Sequence, residues 1–289
     1  MKRLSVSNAL ITLFLGLCAI AAIFPFYQTL VQSLSSIADR NAGRVMLFPS
    51  SIDFSSYQYI FSQGKVVDGL LVSVFVTVFG TLVNLVMTST GAYALSKKSM
   101  PGRNLIMTCI IFTLFFSGGL IPFYLTIQNL HLQNNILVMI LPAAVNAFNL
   151  ILMINFFGKV NPALEESAKI DGANDLSILI RIVIPVSLPI MATMSLFYAV
   201  ERWNEWWLPY LFINDIKLHP LQLVLRDAIT DLSQSLNGLG SQYASAAQTV
   251  YVDSVKSALI IISAIPILMM YPFVQKHFNA GITLGSVKE

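Results

Sequence analysis

Two polar stretches stand out in a chain of 289 residues that is 56% hydrophobic and only 11% charged. The first is Glu201-Arg202-Trp203-Asn204-Glu205-Trp206-Trp207, set inside a long apolar run. Its carboxylates, guanidinium, amide and indoles could form an ion pair, line a hydrophilic path or hold an ion. On a helix, Glu201, Arg202, Asn204 and Glu205 share one broad face, and Arg202 can pair with Glu205 three residues on. Trp203 and Trp207 fall on the opposite face. The second stretch is Glu165-Glu166-Ser167-Ala168-Lys169-Ile170-Asp171-Gly172-Ala173-Asn174-Asp175, running on to Arg181 and Pro185. Its carboxylates, capping residues and interleaved apolar side chains suit docking to a groove on another protein.

Bond-making chemistry has little support in the sequence. There is no G-x-x-x-x-G-K-[ST] run, so a P-loop nucleotide site is not expected. There is no H-E-x-x-H and no G-x-S-x-G, and the three histidines are isolated. Cys18 and Cys109 lie inside apolar stretches without metal-ligand spacing. No catalytic residue, metal or cofactor is therefore expected in this chain, and an enzyme is not predicted. The net charge of +3 is small and scattered, which argues against a nucleic-acid partner.

The elements that must position these stretches are membrane spans. A soluble chain carries about a quarter charged residues, and this composition leaves too little polar surface to cover a globule. Apolar segments at 8–33, 69–95, 104–127, 136–157, 187–213 and 255–275 each approach or exceed the ~20 residues that cross a bilayer as a helix. Lys2-Arg3 precede the first, but its apolar run continues to Leu30, longer than a cleavable signal core, so a retained span is expected. With the N-terminus inside, the inner segments hold Lys2, Arg3, Lys97, Lys98, Arg103, Lys159, Lys169, Arg181, Lys276 and Lys288. The outer ones, at 34–68, 128–135 and 214–254, hold Arg40, Arg44, Lys65, Lys217 and Arg226. That is ten basic residues against five, which places the 158–186 loop and both termini in the cytoplasm. The expected fold is an all-α membrane protein of six transmembrane helices, one transmembrane domain over 1–289.

Within the inner loop, Asn161-Pro162 is a helix start and Glu165 and Glu166 suit its positive end. Gly172 reads as the stop, and Asn174 or Asp175 caps a second short helix before Pro185. Two short helices at a glycine corner follow, serving either as a docking element or as an amphipathic connector on the membrane surface. The fifth span has two readings as well. Three charges facing lipid would cost several times about 2.5–3.5 kcal/mol, so they belong against other helices or water. They either line a passage or form an internal salt bridge with tryptophans in the interfacial belt.

Glu166-Ser167-Ala168, three further residues, Gly172, and then Ile184-Pro185 resemble the EAA loop of membrane subunits in binding-protein-dependent ABC importers. Ser167 stands where that pattern has alanine, and Glu165 offers a second glutamate. Trp203-Asn204-Glu205-Trp206 before Leu208-Pro209 is similar to the W-N-x-[FW] run of the carbohydrate branch, whose smaller maltose-importer subunit this chain resembles. The ending Gln275-Lys276 through Phe278, Gly281, Gly285 and Val287-Lys288 is similar to that branch's terminal motif, with Glu289 in place of a usual glycine. Glu201-Arg202 departs from the smaller pair common among oligosaccharide and polysaccharide permeases.

The resemblance implies a type I ABC importer permease. It implies docking of the 158–186 loop on a cytoplasmic ATPase through Glu165, Glu166, Ala168, Asp171, Gly172, Ala173 and Pro185. It further implies a tail, 276–289, that meets the ATPase pair through Gly281, Gly285 and Lys288, and an outer segment that meets an extracytoplasmic solute-binding protein. The implied partners are a second homologous permease in a heterodimer, two ATPase subunits holding Mg-ATP, and the lipid bilayer of a bacterial cell membrane. Glu201, Arg202, Trp203, Asn204, Glu205 and Trp206 become passage-lining candidates. An ion-coupled secondary transporter using Glu201, Arg202 and Glu205 is the alternative.

Overall fold

The computed structural model describes residues 6–36, 48, 51–62, 64–238 and 253–269. Among these the secondary structure is helical, with one isolated bridge between Ser35 and Ile52. The chain divides into two compact units, one within Met1–Val67 and Val224–Pro266, the other within Asp68–Leu223 and Ile267–Glu289.

In the first unit, α1 (Val6–Ser33) runs through Pro25, and Thr29 Oγ1 donates to the Pro25 carbonyl at 2.8 Å. The short α2 (Ser55–Ser62) starts on Asp53, whose carboxylate accepts from Ser55 N at 2.8 Å. Ser33 and Tyr57 join the two helices through a 2.8 Å hydroxyl pair.

The second unit is built on α3 (Lys65–Ser96), an unbroken 32-residue helix. The stripe Val76, Gly80, Asn84, Thr88 and Ala92 recurs every four residues and faces its neighbours, as i, i+4 positions on a helix must. Then follow α4 (Arg103–Phe115), α5 (Leu120–Asn129), a 3-10 turn at Ile136–Met139, and α6 (Ala147–Phe157). The 158–186 loop forms α7 (Pro162–Ile170) and α8 (Asp175–Val186), the latter widened to a π-turn over Leu179–Val183 ahead of Pro185. Next come α9 (Leu188–Trp203) and α10 (Trp207–Phe212). The following α11 (Leu221–Gly238) belongs from Val224 on to the first unit, as do 253–266 of the helical residues 253–269.

The continuity of the expected spans is corrected in three places. The stretch 104–127 breaks between α4 and α5 with a bend of 118°. Gly119, at φ 83 and ψ 175, takes a conformation closed to other residues there. The stretch 136–157 is α-helical only from Ala147. Pro142 lacks the N–H needed to continue a helix, and Asn146 restarts one by accepting from Phe148 N and Asn149 N at 3.0 and 3.2 Å. The stretch 187–213 stops at Trp203 and resumes at Trp207, with Pro209 in the new first turn. Among the described residues, two helices are long and apolar enough to cross a membrane alone, and up to five spans result if each bent pair is one span.

Candidate functional site

The 158–186 loop is a hydrogen-bonded corner. Asn161 Oδ1 accepts from Ala163 N at 3.1 Å to open α7, and Asn174 Oδ1 accepts from Ser177 N at 2.8 Å to open α8. Between them Gly172 sits at φ +82, and the Ala173 N–H returns to the Ala168 carbonyl at 2.9 Å. α7 leaves α6 at 75° and α8 meets α9 at 89°, so the pair projects sideways from the helices that carry it.

One side of this corner is bonded inward. Ala168, Ile178, Leu179 and Val183 join a buried cluster with Ala92 and Tyr93 of α3, Met153 and Phe157 of α6, and Met194 and Tyr198 of α9; Ala173 packs against it. Glu165 forms an ion pair with Lys97 at the end of α3 and accepts from the Tyr93 hydroxyl at 3.3 Å. The Lys97 ammonium also lies 4.3 Å from the Tyr93 ring centroid, a cation–π contact. The other side faces out. Glu166, Asp171, Gly172 and Pro185 are exposed, and with them Leu164, Leu176, Ile180 and Ile170, the last 87% exposed. Such an apolar face with a carboxylate beside it has the chemistry of a helix awaiting a groove.

The fifth stretch separates into an inner and an outer face. Arg202 is 1% exposed. Its Nε donates to Asn84 Oδ1 at 3.1 Å, Nη1 to the Met139 carbonyl at 2.7 Å, and Nη2 to the Ala143 carbonyl. Asn84 Nδ2 adds bonds to the carbonyls of Ala143 and Ala144 at 2.6 and 2.9 Å. The unwound backbone at 139–146 thus finds in Arg202 and Asn84 the donors that its own helix would have supplied. Gly80 makes this possible, because a Cβ there would lie 3.0 Å from Arg202 Cδ. One turn on, Thr88 and Tyr198 hydroxyls pair at 2.7 Å.

The expected pairing of Arg202 with Glu205 does not form, since the guanidinium is bonded to main-chain and amide oxygens. Because α9 ends at Trp203 with Asn204 as its cap, the single-helix wheel does not extend to Glu205. Glu205 Oε1 instead accepts from Trp207 N and Leu208 N at 2.9 and 3.0 Å, opening α10. Trp203 is buried, while Glu201, Asn204, Trp206, Trp207 and Tyr210 are exposed. Trp206 and Trp207 meet edge-to-face at 5.5 Å, each just over 6 Å from Tyr210.

This chain is 42% identical over 275 residues to the polygalacturonan/rhamnogalacturonan transport system permease protein YtcP of Bacillus subtilis (strain 168), covering 95% of this chain and 96% of that one. It is also 42% identical over 278 residues to protein LplC of the same organism, covering 96% and 92%. The chain belongs to the permease family of carbohydrate ABC importers. No family model matches it. Its fold is similar to a chain in the crystal structure of a bacterial ABC transporter involved in the import of the acidic polysaccharide alginate, with TM-score 0.85, 35% identity, and coverage of 96% and 100%. The permease is accordingly a membrane protein and a transport component rather than an enzyme.

In this permease the structure gathers Glu165, Ala168, Ala173 and Arg202 into packed surroundings and leaves Glu166, Asp171, Gly172, Pro185, Glu201, Asn204 and Trp206 outside them. Gly281, Gly285 and Lys288 lie outside the described residues. Sequence reading missed Gly80, Asn84, Lys97 and Tyr93 as partners of the two polar stretches. A signal for two of them exists: Asn84 is an amide in the middle of an apolar run, with glycine one turn before it. It missed Asn134 too, at φ 51, whose side chain accepts from Asn214 N and Asp215 N at 3.1 and 2.9 Å.

Proposed function

We propose that this permease is a six-span subunit of an ATP-driven oligosaccharide importer in the bacterial cell membrane, with both termini in the cytoplasm and 1–289 as one transmembrane domain. A second, similar permease completes the passage, an extracytoplasmic binding protein delivers the sugar, and two ATPase subunits hold Mg-ATP. The 158–186 loop docks on one of those ATPases. Glu166 and the apolar side chains around it meet the ATPase, while Glu165, Ala168 and Ala173 fasten the loop to the spans. Gly281, Gly285 and Lys288 reach the ATPase pair in this reading, on the strength of the terminal motif.

The observation that carries the reading is the two-sided construction of the loop: one face packed on α3, α6 and α9, the other exposed and apolar. ATPase closure then moves α7 and α8 as a body, and the attached helices follow between inward and outward openings. The names of the similar proteins support a polymeric or oligomeric sugar as cargo. The exposed side of the fifth stretch, including Glu201, Asn204 and Trp206, lines the passage, because those polar groups cannot face lipid cheaply. Ion-coupled transport through Glu201, Arg202 and Glu205 is not favoured, since Arg202 is committed to holding the 139–146 backbone.

Gly172→Pro tests the docking role. Proline cannot adopt φ +82 and cannot donate the Gly172 N–H that bonds the Lys169 carbonyl at 3.0 Å. Uptake and transport-linked ATP hydrolysis by the assembled importer are expected to vanish while the subunit still inserts. Normal uptake would overturn the assignment.

A further inference from the structure

The fifth stretch exposes Phe197, Glu201, Asn204, Trp206, Trp207 and Tyr210. Phe197, Glu201 and Asn204 follow one another at i, i+4 and i+7, which aligns them on one side of α9 and its cap. We infer that this face selects uncharged oligosaccharides and repels uronate-bearing ones, with Glu201 as the charge-selecting residue. The inference rests on the reading above that this face lines the passage.

The rings supply the general affinity for sugar. Trp206 and Trp207 stand at 82° to each other with centroids 5.5 Å apart, and Tyr210 lies 6.3 and 6.1 Å from them. Ring faces therefore point in several directions, and the C–H faces of pyranose rings can lie against them in more than one pose. Asn204 and Glu201, exposed on the same stretch of chain, are its hydrogen-bonding groups, which fits hydroxyl-rich cargo. Aromatic surface with a few placed polar groups is the usual make-up of a small-molecule site.

Charge decides the class of sugar. Across 66–96, 104–158 and 182–216, Arg202 is the one lysine or arginine in the sequence. It is 1% exposed and turned inward to Asn84, Met139 and Ala143, so these segments expose no cation. It does present carboxylates: Glu201 is exposed, and Glu205 is fixed next to the rings by the two amides that it caps. A uronate chain carries a negative charge on each sugar and meets like charge here, which is repulsion of the kind that rejects wrong partners. The similar proteins are named for polygalacturonan and for acidic alginate. This chain's own passage face is built for a different cargo charge.

The three tryptophans of this chain are Trp203, Trp206 and Trp207, and the latter two are exposed on this face, so the part of the indole fluorescence lost in Trp206→Phe reports on it. The assembled importer in detergent, without binding protein, is titrated with galactotetraose and with tetragalacturonate, and Trp206→Phe identifies the local signal. The expected result is about tenfold weaker response to tetragalacturonate, narrowed to about threefold or less in Glu201→Gln. Equal or tighter binding of tetragalacturonate overturns the inference, as does a gap that Glu201→Gln leaves unchanged. If neither sugar moves the signal, the inference falls; if Trp206→Phe and Trp207→Phe also keep full uptake, the passage reading falls with it.

Discussion

Glu165 is ion-paired with Lys97 across the junction of α7 and α3, while its neighbour Glu166 is exposed. Two adjacent glutamates thus have opposite surroundings, and only the first is tied to the helix that spans the second unit. With side-chain exposures of 13% and 31%, the pair is partly screened and contributes about 1 kcal/mol. Its value is positional. Glu165→Gln is expected to leave insertion intact and to reduce uptake per ATP hydrolysed several-fold, and Glu165→Lys combined with Lys97→Glu is expected to recover part of it. Simultaneous uptake and ATPase assays on the assembled importer check this, and full coupling in Glu165→Gln would refute it.

Glu166→Gln should behave differently. Because Glu166 is exposed and outside the packed cluster, thermal stability of the permease should change by less than about 0.5 kcal/mol. Co-purification of the ATPase subunit should fall instead. Pull-down from detergent with tagged permease measures it.

Gly172→Ala separates strain from contact. No atom lies within 4 Å of a Cβ built there, so the cost is only that of placing an L-residue at φ +82, about 1–2 kcal/mol. Gly172→Asn should recover much of that, since asparagine tolerates the left-handed region. The expected order of uptake is glycine, asparagine, alanine, then proline, with proline near zero.

Arg202→Met removes a buried cation and strands Met139 O and Asn84 Oδ1 at once, leaving Ala143 O with only its bond from Asn84 Nδ2. Loss of one member of such a buried set costs about 3–5 kcal/mol. The variant should show a clearly lowered unfolding temperature in detergent. Gly80→Ala pushes on Arg202 Cδ, which bonds at both ends of the guanidinium prevent from yielding, and should cost about 1–3 kcal/mol. Arg202→Met should lessen the penalty of Gly80→Ala, a non-additivity that a double-mutant cycle reads directly.

The loop was legible in the sequence because its signals are local. Asn161-Pro162, Asn174 and Gly172 each act on backbone groups within four residues, and all three take the predicted roles. The family resemblance, resting on Glu166, Gly172, Pro185 and Trp203-Asn204, was legible for the same reason. The spans were legible as apolar segments but not as broken ones. Hydropathy is blind to backbone continuity, so Gly118-Gly119 and Pro142 read as ordinary residues inside greasy runs. The fate of Arg202 was the least legible, because its partners lie 118, 63 and 59 positions away in sequence. A nearby glutamate looked like the natural partner. Distant carbonyls left unpaired by a helix break were the stronger claim, and nothing local to Arg202 reports them.

The knot around Arg202 has an evolutionary corollary. Two of its acceptor sites, on Met139 and Ala143, are main-chain oxygens that any residue provides. Lineages related to this chain are therefore free to drift at 139 and 143 without disturbing it, within the limits of size. The burden of inheritance falls on the side chains at 84 and 202 and on the missing one at 80. Those three should be gained and lost together, so that a relative with a larger residue at 80 has also surrendered the arginine.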